Sequence, residues 1–556
     1  MKILLTAINA KYIHSNPAVH ILKAYAREYA DAIEVVEYTI NQQPDDILSD
    51  IYRRKPDVLA FSCYIWNWKM VKTLLPELPK ILPDVKIWLG GPEVTYDAMA
   101  RLEKYPFLSG IMVGEGEETF RELAAYYCNG EKKLTEIAGI CIPGDGYTEE
   151  RKPIDMDKVP FFYEDGMEAF EHKILYYETS RGCPFQCSYC LSSIDKKVRL
   201  RSLELVEKEL QFFLDHKVAQ VKFVDRTFNC NHKHALGIWN YIQRHDNGVT
   251  NFHFEITADL LNEEELELLA KMRPGLVQLE IGVQSTNENT IKEIRRAMDL
   301  EKLKEIVARI HAMRNIHQHL DLIAGLPYED YDSFVNSFNE VYAMQPDQLQ
   351  MGFLKVLKGS YMDTQAENYG IAYQSNPPYE VLFSKWLSYD DVLRLKKVEE
   401  MVELYYNSNQ FVNTISVLER AFDSPYRMFD KLGDYYETHG YYVNKPARSY
   451  RYDVLLAFAV EQDAKNEELY RELLTYDMYL RENCKSRPTF SKNLTPYKEE
   501  LRNRQSDRRM HVEVFYYPVW DAKVGDELPR MEKPAYIAFD YENRDPLSHN
   551  AAIMEL

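Results

Sequence analysis

Ser180-Arg-Gly-Cys-Pro-Phe-Gln-Cys-Ser-Tyr-Cys190 sets Cys183, Cys187 and Cys190 within eight residues of one another. A structural zinc site normally closes with four protein ligands. A 4Fe-4S cluster held by only three cysteines leaves one iron open to a substrate or cofactor. The residues alone leave two readings here, an open cluster or a zinc knuckle of unrelated core cysteines. Around the loop, from Lys173 to Ser360, apolar runs alternate with amphipathic segments: 174–180, 221–224, 252–256, 277–283, 320–324 and 350–356. These predict six βα units, which periodicity allows to close as a barrel or to open as a doubly wound sheet.

The spacing C-x3-C-x2-C, with Tyr189 just before the last cysteine, resembles the cluster loop of the radical S-adenosylmethionine (SAM) superfamily. The resemblance implies a 4Fe-4S cluster on Cys183, Cys187 and Cys190, SAM chelated to the open iron, and reductive cleavage of SAM to a 5'-deoxyadenosyl radical. It selects the partial (β/α)6 TIM-like barrel for the central strands. The ends of those strands carry polar residues in otherwise apolar runs, where a barrel keeps its function. By resemblance, Tyr189, Asp225, Thr227, Glu255, Glu280, Gln284, Arg296 and Asp321 are the SAM candidates. Glu255, Gln284 and Arg296 look like the ribose and carboxylate contacts of the oxygen-independent coproporphyrinogen oxidase branch. A guanidinium holds a carboxylate bidentately, but Arg295 is adjacent and helix phase is not readable. Glu280 has a second reading as a buried acid paired inside the barrel.

The first 142 residues show the same βα rhythm, with strands expected at 3–5, 33–39, 57–64, 85–91 and 110–114. They predict a five-stranded, doubly wound parallel sheet of Rossmann or flavodoxin-like type, whose ligands bind beyond the strand carboxyl ends. Those ends hold His14-Ser15-Asn16, Ser62 and Tyr64, Gly90-Gly91-Pro92-Glu93, and Gly114-Glu115-Gly116. With its GGP and GEGE turns ahead of the cluster loop, the pattern resembles the cobalamin-binding domain of a large radical SAM subgroup, and these residues are its candidate contacts. A D-x-H-x-x-G motif is absent from this domain. That leaves axial ligation of the cobalt open; the family resemblance implies a lower face without a protein nitrogen ligand, with His14 as the alternative.

The expected domains are 1–142 for cobalamin, a Pro- and Gly-punctuated linker at 143–170, the radical SAM domain at 171–360, and a mainly helical C-terminal domain at 361–556 that selects substrate. Amphipathic helices are expected at 389–407, 412–422 and 450–482, and a strand near 510–518. A formal net charge of −20 and the lack of an 18-residue apolar run argue against unspecific nucleic-acid binding and a membrane location. Eight cysteines in 556 residues are too few for a disulfide scaffold, and point to a reducing, cytoplasmic, oxygen-poor setting. Between Lys485 and Arg509, eight basic residues stand against three acids, a solvated basic face or an RNA grip.

The activity implied is that of an enzyme, a cobalamin-dependent radical SAM methyltransferase acting on an unactivated carbon. Its expected partners are a low-potential donor such as flavodoxin or ferredoxin and a small-molecule or peptide substrate. Three alternatives stand beside it: modification of tRNA or another nucleic acid; rearrangement, cyclisation or oxidation of a small molecule; and a cobalamin-binding regulator with a zinc knuckle. Cys63, Cys128, Cys141, Cys230 and Cys484 form no second short motif, so no auxiliary cluster is expected.

Overall fold

The computed structural model describes residues 1–504, 510–523 and 527–556. These fall into two compact units, one of Met1–Met272, Lys292–Met298 and Phe353–Lys385, the other of Arg273–Ile291, Asp299–Gly352 and Trp386–Leu556.

The first unit opens with a sheet of β1 (Ile3–Asn9), β2 (Ile33–Thr39), β3 (Val58–Ser62), β4 (Lys86–Gly90), β5 (Leu108–Met112), β6 (Ile140–Ile142) and β7 (Gly146–Tyr147), in the order β2-β1-β3-β4-β5-β6-β7. The first five pair in parallel. Every residue of β1 is buried because the strand is covered on both faces. Alternation divides its side chains: Leu4 and Ile8 join one apolar cluster with Phe61 and Leu89, while Ile3, Leu5 and Ala7 join another with Ala60 and Trp88. The order reverses between β1 and β3, the switch point where such sheets bind ligands.

The sheet is two strands longer than the five expected. Pro143-Gly-Asp-Gly146, read as the start of a linker, is the turn of the antiparallel hairpin β6–β7, with Gly144 and Gly146 at positive φ. The buried Ile140-Cys-Ile142 gives the hairpin its place beside β5.

Beyond residue 170, β8 (Leu175–Tyr177), β11 (Gln220–Phe223) and β12 (Asn251–Ile256) pair in parallel in the first unit. A short antiparallel pair, β9 (Ser180–Arg181) and β10 (Arg199–Leu200), joins the two ends of the cysteine segment. In the second unit β13 (Val277–Gln284) and β14 (His317–Ala324) pair in parallel, and β15 (Gln348–Phe353) follows. All six strands expected of this region are present. Helices Leu203–Asp215, His232–Arg244, Glu263–Leu269, Leu300–Met313 and Tyr331–Tyr342 separate them.

The hairpin β16 (Ala372–Tyr373) and β17 (Val381–Phe383) belongs to the first unit. The rest of the second unit is mainly helical, with helices Tyr389–Tyr405, Val412–Leu418, Pro425–Thr438, Tyr450–Gln462 and Glu467–Arg481. The expected continuous 450–482 helix breaks at Asp463. Its carboxylate accepts from Asn466 and Tyr470, which fixes a turn there. An antiparallel sheet of β18 (His511–Phe515), β19 (Ala535–Arg544) and β20 (Ala551–Glu555) closes the chain. No described helix is long and apolar enough to cross a membrane.

Candidate active site

The cysteine segment has almost no regular structure of its own and is held by backbone bonds to its surroundings. Cys183 N donates to Asp195 O at 2.9 Å, Ser188 N to Ile294 O at 2.9 Å, and Met362 N to Ser188 O at 2.8 Å. Gly182 has φ +97°, and a Cβ there would stand 2.6 Å from Lys197 O, so only glycine fits where the loop crosses itself. Cys183 and Cys187 are buried, Cys190 is half-buried, and none is in a disulfide. The Cys187 thiol is pushed up by burial, then further by Cys190 and Cys183, against the pull of Arg296. Three clustered free thiols with a cation beside them suit a thiolate-ligated cluster.

Arg296 is the cation. Its Nη1 lies 3.4 Å from Tyr189 Oη and 4.0 Å from Cys187 Sγ. Arg295 instead stacks on Tyr361, 3.6 Å from the ring centre. Both arginines lie in an irregular turn, with Arg295 at φ +56°, and that turn rather than a helix phase puts Arg296 at the loop. Thr227 Oγ1 is 3.6 Å from Cys183 Sγ. Asp225 is fully buried and accepts from Thr179 N at 3.0 Å, Thr179 Oγ1 at 2.6 Å and Ser180 Oγ at 2.6 Å. It braces the strand that leads into the loop. Burial pushes its carboxyl up to about 6. His234, which reading of the sequence passed over, continues this network with Nε2 3.1 Å from Thr179 Oγ1.

One cavity of about 870 Å³ runs from the carboxyl edge of the first sheet to this loop. His14, Ser15, Asn16, Ser62 and Tyr64 line it, as do Gly90, Gly91, Pro92, Gly114, Glu115 and Gly116. So do Glu178, Arg181, Gly182, Leu191, Arg226 and Glu255 from the side of the loop. Of the cobalamin candidates only Glu93 is outside the lining. It is buried, accepts from Tyr379 Oη and lies 3.2 Å from Arg101 Nη2. His14 Nδ1 is 2.6 Å from Tyr176 Oη, and burial, Lys11 and Lys222 lower its pKa. Tyr64 and Trp66 stack at 4.3 Å and form a flat aromatic part of the wall.

The two glycine turns differ. A Cβ on Gly91, at φ +104°, would lie 2.5 Å from Cys63 O, so that glycine serves the protein's own packing. A Cβ on Gly114 would meet nothing within 4 Å, which leaves open space for a large ligand. The adjacent Glu115 carboxylate pairs with Arg199 at 2.5 Å and Arg181 at 3.3 Å and accepts from Ile154 N. Although half-buried, it is held below the usual carboxylate range by these arginines. Glu117 pairs with Arg181 at 2.8 Å. The GEGE turn is therefore ion-paired to both strands flanking the cysteine loop.

The remaining SAM candidates stand on the second unit. Gln284 has φ +73°, and its buried Oε1 has no hydrogen-bond partner among the described residues. Glu280 and Asp321 group with His319, which sequence reading missed. In the basic segment, Arg487 pairs with Glu513, Lys492 with Glu472, and Arg504 donates to Leu556 O at 2.6 Å. Arg508 and Arg509 lie outside the described residues.

Residues 3–124 match the B12 binding domain family, and residues 177–341 match the radical SAM superfamily. The chain is a B12-binding radical SAM protein. Residues 367–516 match a family described as a protein of unknown function (DUF4080).

Its relatives include the cobalamin-dependent radical SAM methyltransferase TokK of Streptomyces tokunonensis, 26% identical over 65% of this chain and 57% of that protein. The 2-(S-pantetheinyl)-carbapenam-3-carboxylate methyltransferase of Streptantibioticus cattleyicolor is 27% identical over 50% of this chain and 44% of that protein. The chain thus spans about half the length of these two relatives. Among solved structures, the cobalamin-dependent SAM radical enzyme OxsB with aqua-cobalamin and SAM bound superposes with a TM-score of 0.57 at 16% identity, covering 85% of this chain and 78% of that one. The B12-binding domain precedes the radical SAM domain, and a mainly helical region follows.

Proposed function

We propose that this chain is a cobalamin-dependent radical SAM methyltransferase that places a methyl group on an unactivated carbon. The observation that carries the reading is the single cavity of about 870 Å³ shared by the carboxyl edge of the B12-binding sheet and the cysteine loop. Methyl transfer between two cofactors needs that adjacency, whereas a turn-shaping glycine edge does not.

Cys183, Cys187 and Cys190 would hold the cluster. Arg296 and Tyr189 flank its thiolates, and Thr227, Glu255 and Asp225 would contact or position SAM. His14, Ser15, Asn16, Ser62, Tyr64 and the turns at Gly90 to Pro92 and Gly114 to Gly116 would cradle cobalamin. Nδ1 of His14 is engaged by Tyr176, which leaves Nε2 as the one ring nitrogen that it could turn to the cofactor; that cobalamin would have no protein nitrogen ligand rests on the family resemblance. When bound, the cluster supplies the electron that opens SAM and cobalamin carries the methyl group. The protein's own part is to hold the thiolates beside a half-buried cation, to seal the loop with Asp225, and to line the cavity largely with apolar surface. A low-potential flavodoxin or ferredoxin is the proposed electron donor, and a small molecule or peptide the proposed substrate.

The test incubates reduced, cobalamin-loaded protein with SAM labelled as CD3 and extract from cells lacking the protein. A product three mass units heavier per methyl, formed together with 5'-deoxyadenosine and S-adenosylhomocysteine, is expected. Production of 5'-deoxyadenosine with an unlabelled, rearranged or oxidised product would overturn the methyltransferase reading in favour of other radical chemistry.

A further inference from the structure

The segment Val224-Asp-Arg-Thr-Phe-Asn229 follows β11, and the residues on either side of Arg226 are fastened inward. Asp225 is bonded to Thr179 and Ser180, and Thr227 is buried beside Cys183 Sγ. Asn229 accepts from Thr257 N at 3.0 Å and donates to Thr257 O at 2.9 Å. Arg226 alone in the segment is exposed, and it lines the cavity that the cysteine loop shares with the first sheet. Its carbonyl accepts from Thr227 Oγ1 at 2.9 Å, but its guanidinium has no ion pair or hydrogen bond among the described residues. Two other arginines of the same lining are committed: Arg181 pairs with Glu117 and Glu178, both at 2.8 Å, and Arg201 pairs with Glu209. The charge of Arg226 reaches the wall formed by the first sheet, where burial pushes the Tyr64 phenol up against the pull of that arginine.

We propose that Arg226 sets the specificity of this cavity by gripping a carboxylate of the substrate. A guanidinium stays charged at any working pH and presents a planar fork of donors that matches a carboxylate with two parallel hydrogen bonds. The acids nearest to hand, Glu117, Glu178 and Glu209, are taken by other arginines, so the fork is left for a ligand. The lining is largely apolar, and a ligand that filled it without an anion would strip water from the guanidinium and give nothing back. That penalty rejects neutral molecules of the same shape. Because Asp225 and Thr227 fix the backbone on both sides, the grip is registered against the cysteine loop, and the stacked Tyr64 and Trp66 face the body of the molecule held there. The inference rests on the radical SAM reading proposed above, and not on methyl transfer.

The probe is extract from cells lacking the protein, separated on a strong anion exchanger at about pH 11, where amines are neutral and carboxylates are retained. The readout is the rise in 5'-deoxyadenosine that each fraction gives with SAM and reduced, cobalamin-loaded, full-length protein. The retained fraction is expected to give the rise, and to give it still after treatment with phosphatase and nuclease. R226Q is expected to need roughly tenfold or more of that fraction for half the rise, and R226K, which keeps the charge without the fork, an intermediate amount. Iron, bound cobalamin and extract-free 5'-deoxyadenosine are measured alongside. Four results overturn the proposal. The rise lies in the unretained fraction or in none; phosphatase or nuclease abolishes it, which assigns Arg226 to a phosphate; R226Q, or R226K should R226Q fail to fold, needs no more of the fraction than wild type; or R226Q loses cobalamin or extract-free SAM cleavage, which assigns the arginine to a cofactor. A rise without transfer of the CD3 label would break the methyltransferase reading and leave this one standing.

Discussion

The cysteine loop and the glycine edge of the first sheet line the same cavity but are built in opposite ways. The loop depends on single contacts: three thiols, one cation at Cys187, one buried carboxylate behind Thr179 and Ser180. The glycine edge is distributed over four strand ends, and its individual residues are engaged by the protein as often as they face open space. Function that rests on discrete ligands fails at one residue, whereas function spread over a surface erodes. Replacing Cys183, Cys187 or Cys190 by Ala is therefore expected to have the largest effect, reducing iron to background and abolishing 5'-deoxyadenosine formation. Four irons per chain in C187A, with reductive SAM cleavage intact, would erase the contrast.

Next in size is the brace. Asp225→Ala leaves two hydroxyls and a backbone N–H without their acceptor, at about 1–3 kcal/mol for each group left unsatisfied, and is expected to lower iron content several-fold. Asp225→Asn keeps an acceptor and the loop. The carboxyl is raised from 3.8 to about 6 in the fold, so the native state binds more protons than the unfolded one between those values. Its contribution to stability is complete below pH 3.8 and is lost as pH rises through 6. Melting midpoints recorded across that range are expected to fall less steeply for D225N than for wild type. Parallel slopes would remove Asp225 from the account.

The glycines sharpen the comparison on the other side. Gly114→Val is expected to lower cobalamin content while iron is retained, because the added side chain enters open space, and to lower the melting temperature, because Gly114 has φ +81°. Gly91→Ala meets Cys63 O and is expected to lower the melting temperature as well, with a backbone strain of about 1–3 kcal/mol. Bound-cobalamin assays with iron determinations separate the two. Equal cobalamin content in G114V and wild type would leave Gly114 a turn residue and nothing more.

These positions also mark how far the sequence can be read. Period-two burial and βα rhythm locate the strands of both sheets because parallel strands covered on two faces need continuous apolar runs. The loop Cys183 to Cys190 announces its chemistry through spacing. What stays hidden is whatever depends on where a side chain points in three dimensions. Gly91 and Gly114 look alike as letters, and only the approach of Cys63 distinguishes them. Arg295 and Arg296 differ by one residue of phase in a short irregular segment. The Pro143-Gly-Asp-Gly146 turn carries the punctuation of a linker and of a hairpin alike. His319 was legible, since His317-x-His319-x-Asp321 is a strand-period polar face, but it lay inside an apolar context that drew attention to Asp321 alone. Helix Pro425–Thr438 also had its signal in Ser424, whose side chain accepts from Arg427 N, followed by proline at the first turn.

The smallest effect is expected in the basic segment. An RNA-docking surface needs cations free to meet phosphates, and each phosphate contact adds up to about one unit to the slope of log affinity against log salt. Arg487 and Lys492 are ion-paired to buried Glu513 and Glu472, and Arg504 both donates to Leu556 O and stacks over Tyr536. These contacts tie the segment to the strands and helix behind it. The double change Arg502→Gln with Arg504→Gln is therefore expected to leave SAM cleavage unchanged and the salt slope of any RNA binding unchanged as well. A slope lower by about two units would show that both arginines meet phosphate, Arg504 by leaving Leu556 O, and would move the substrate class from small molecule or peptide to RNA.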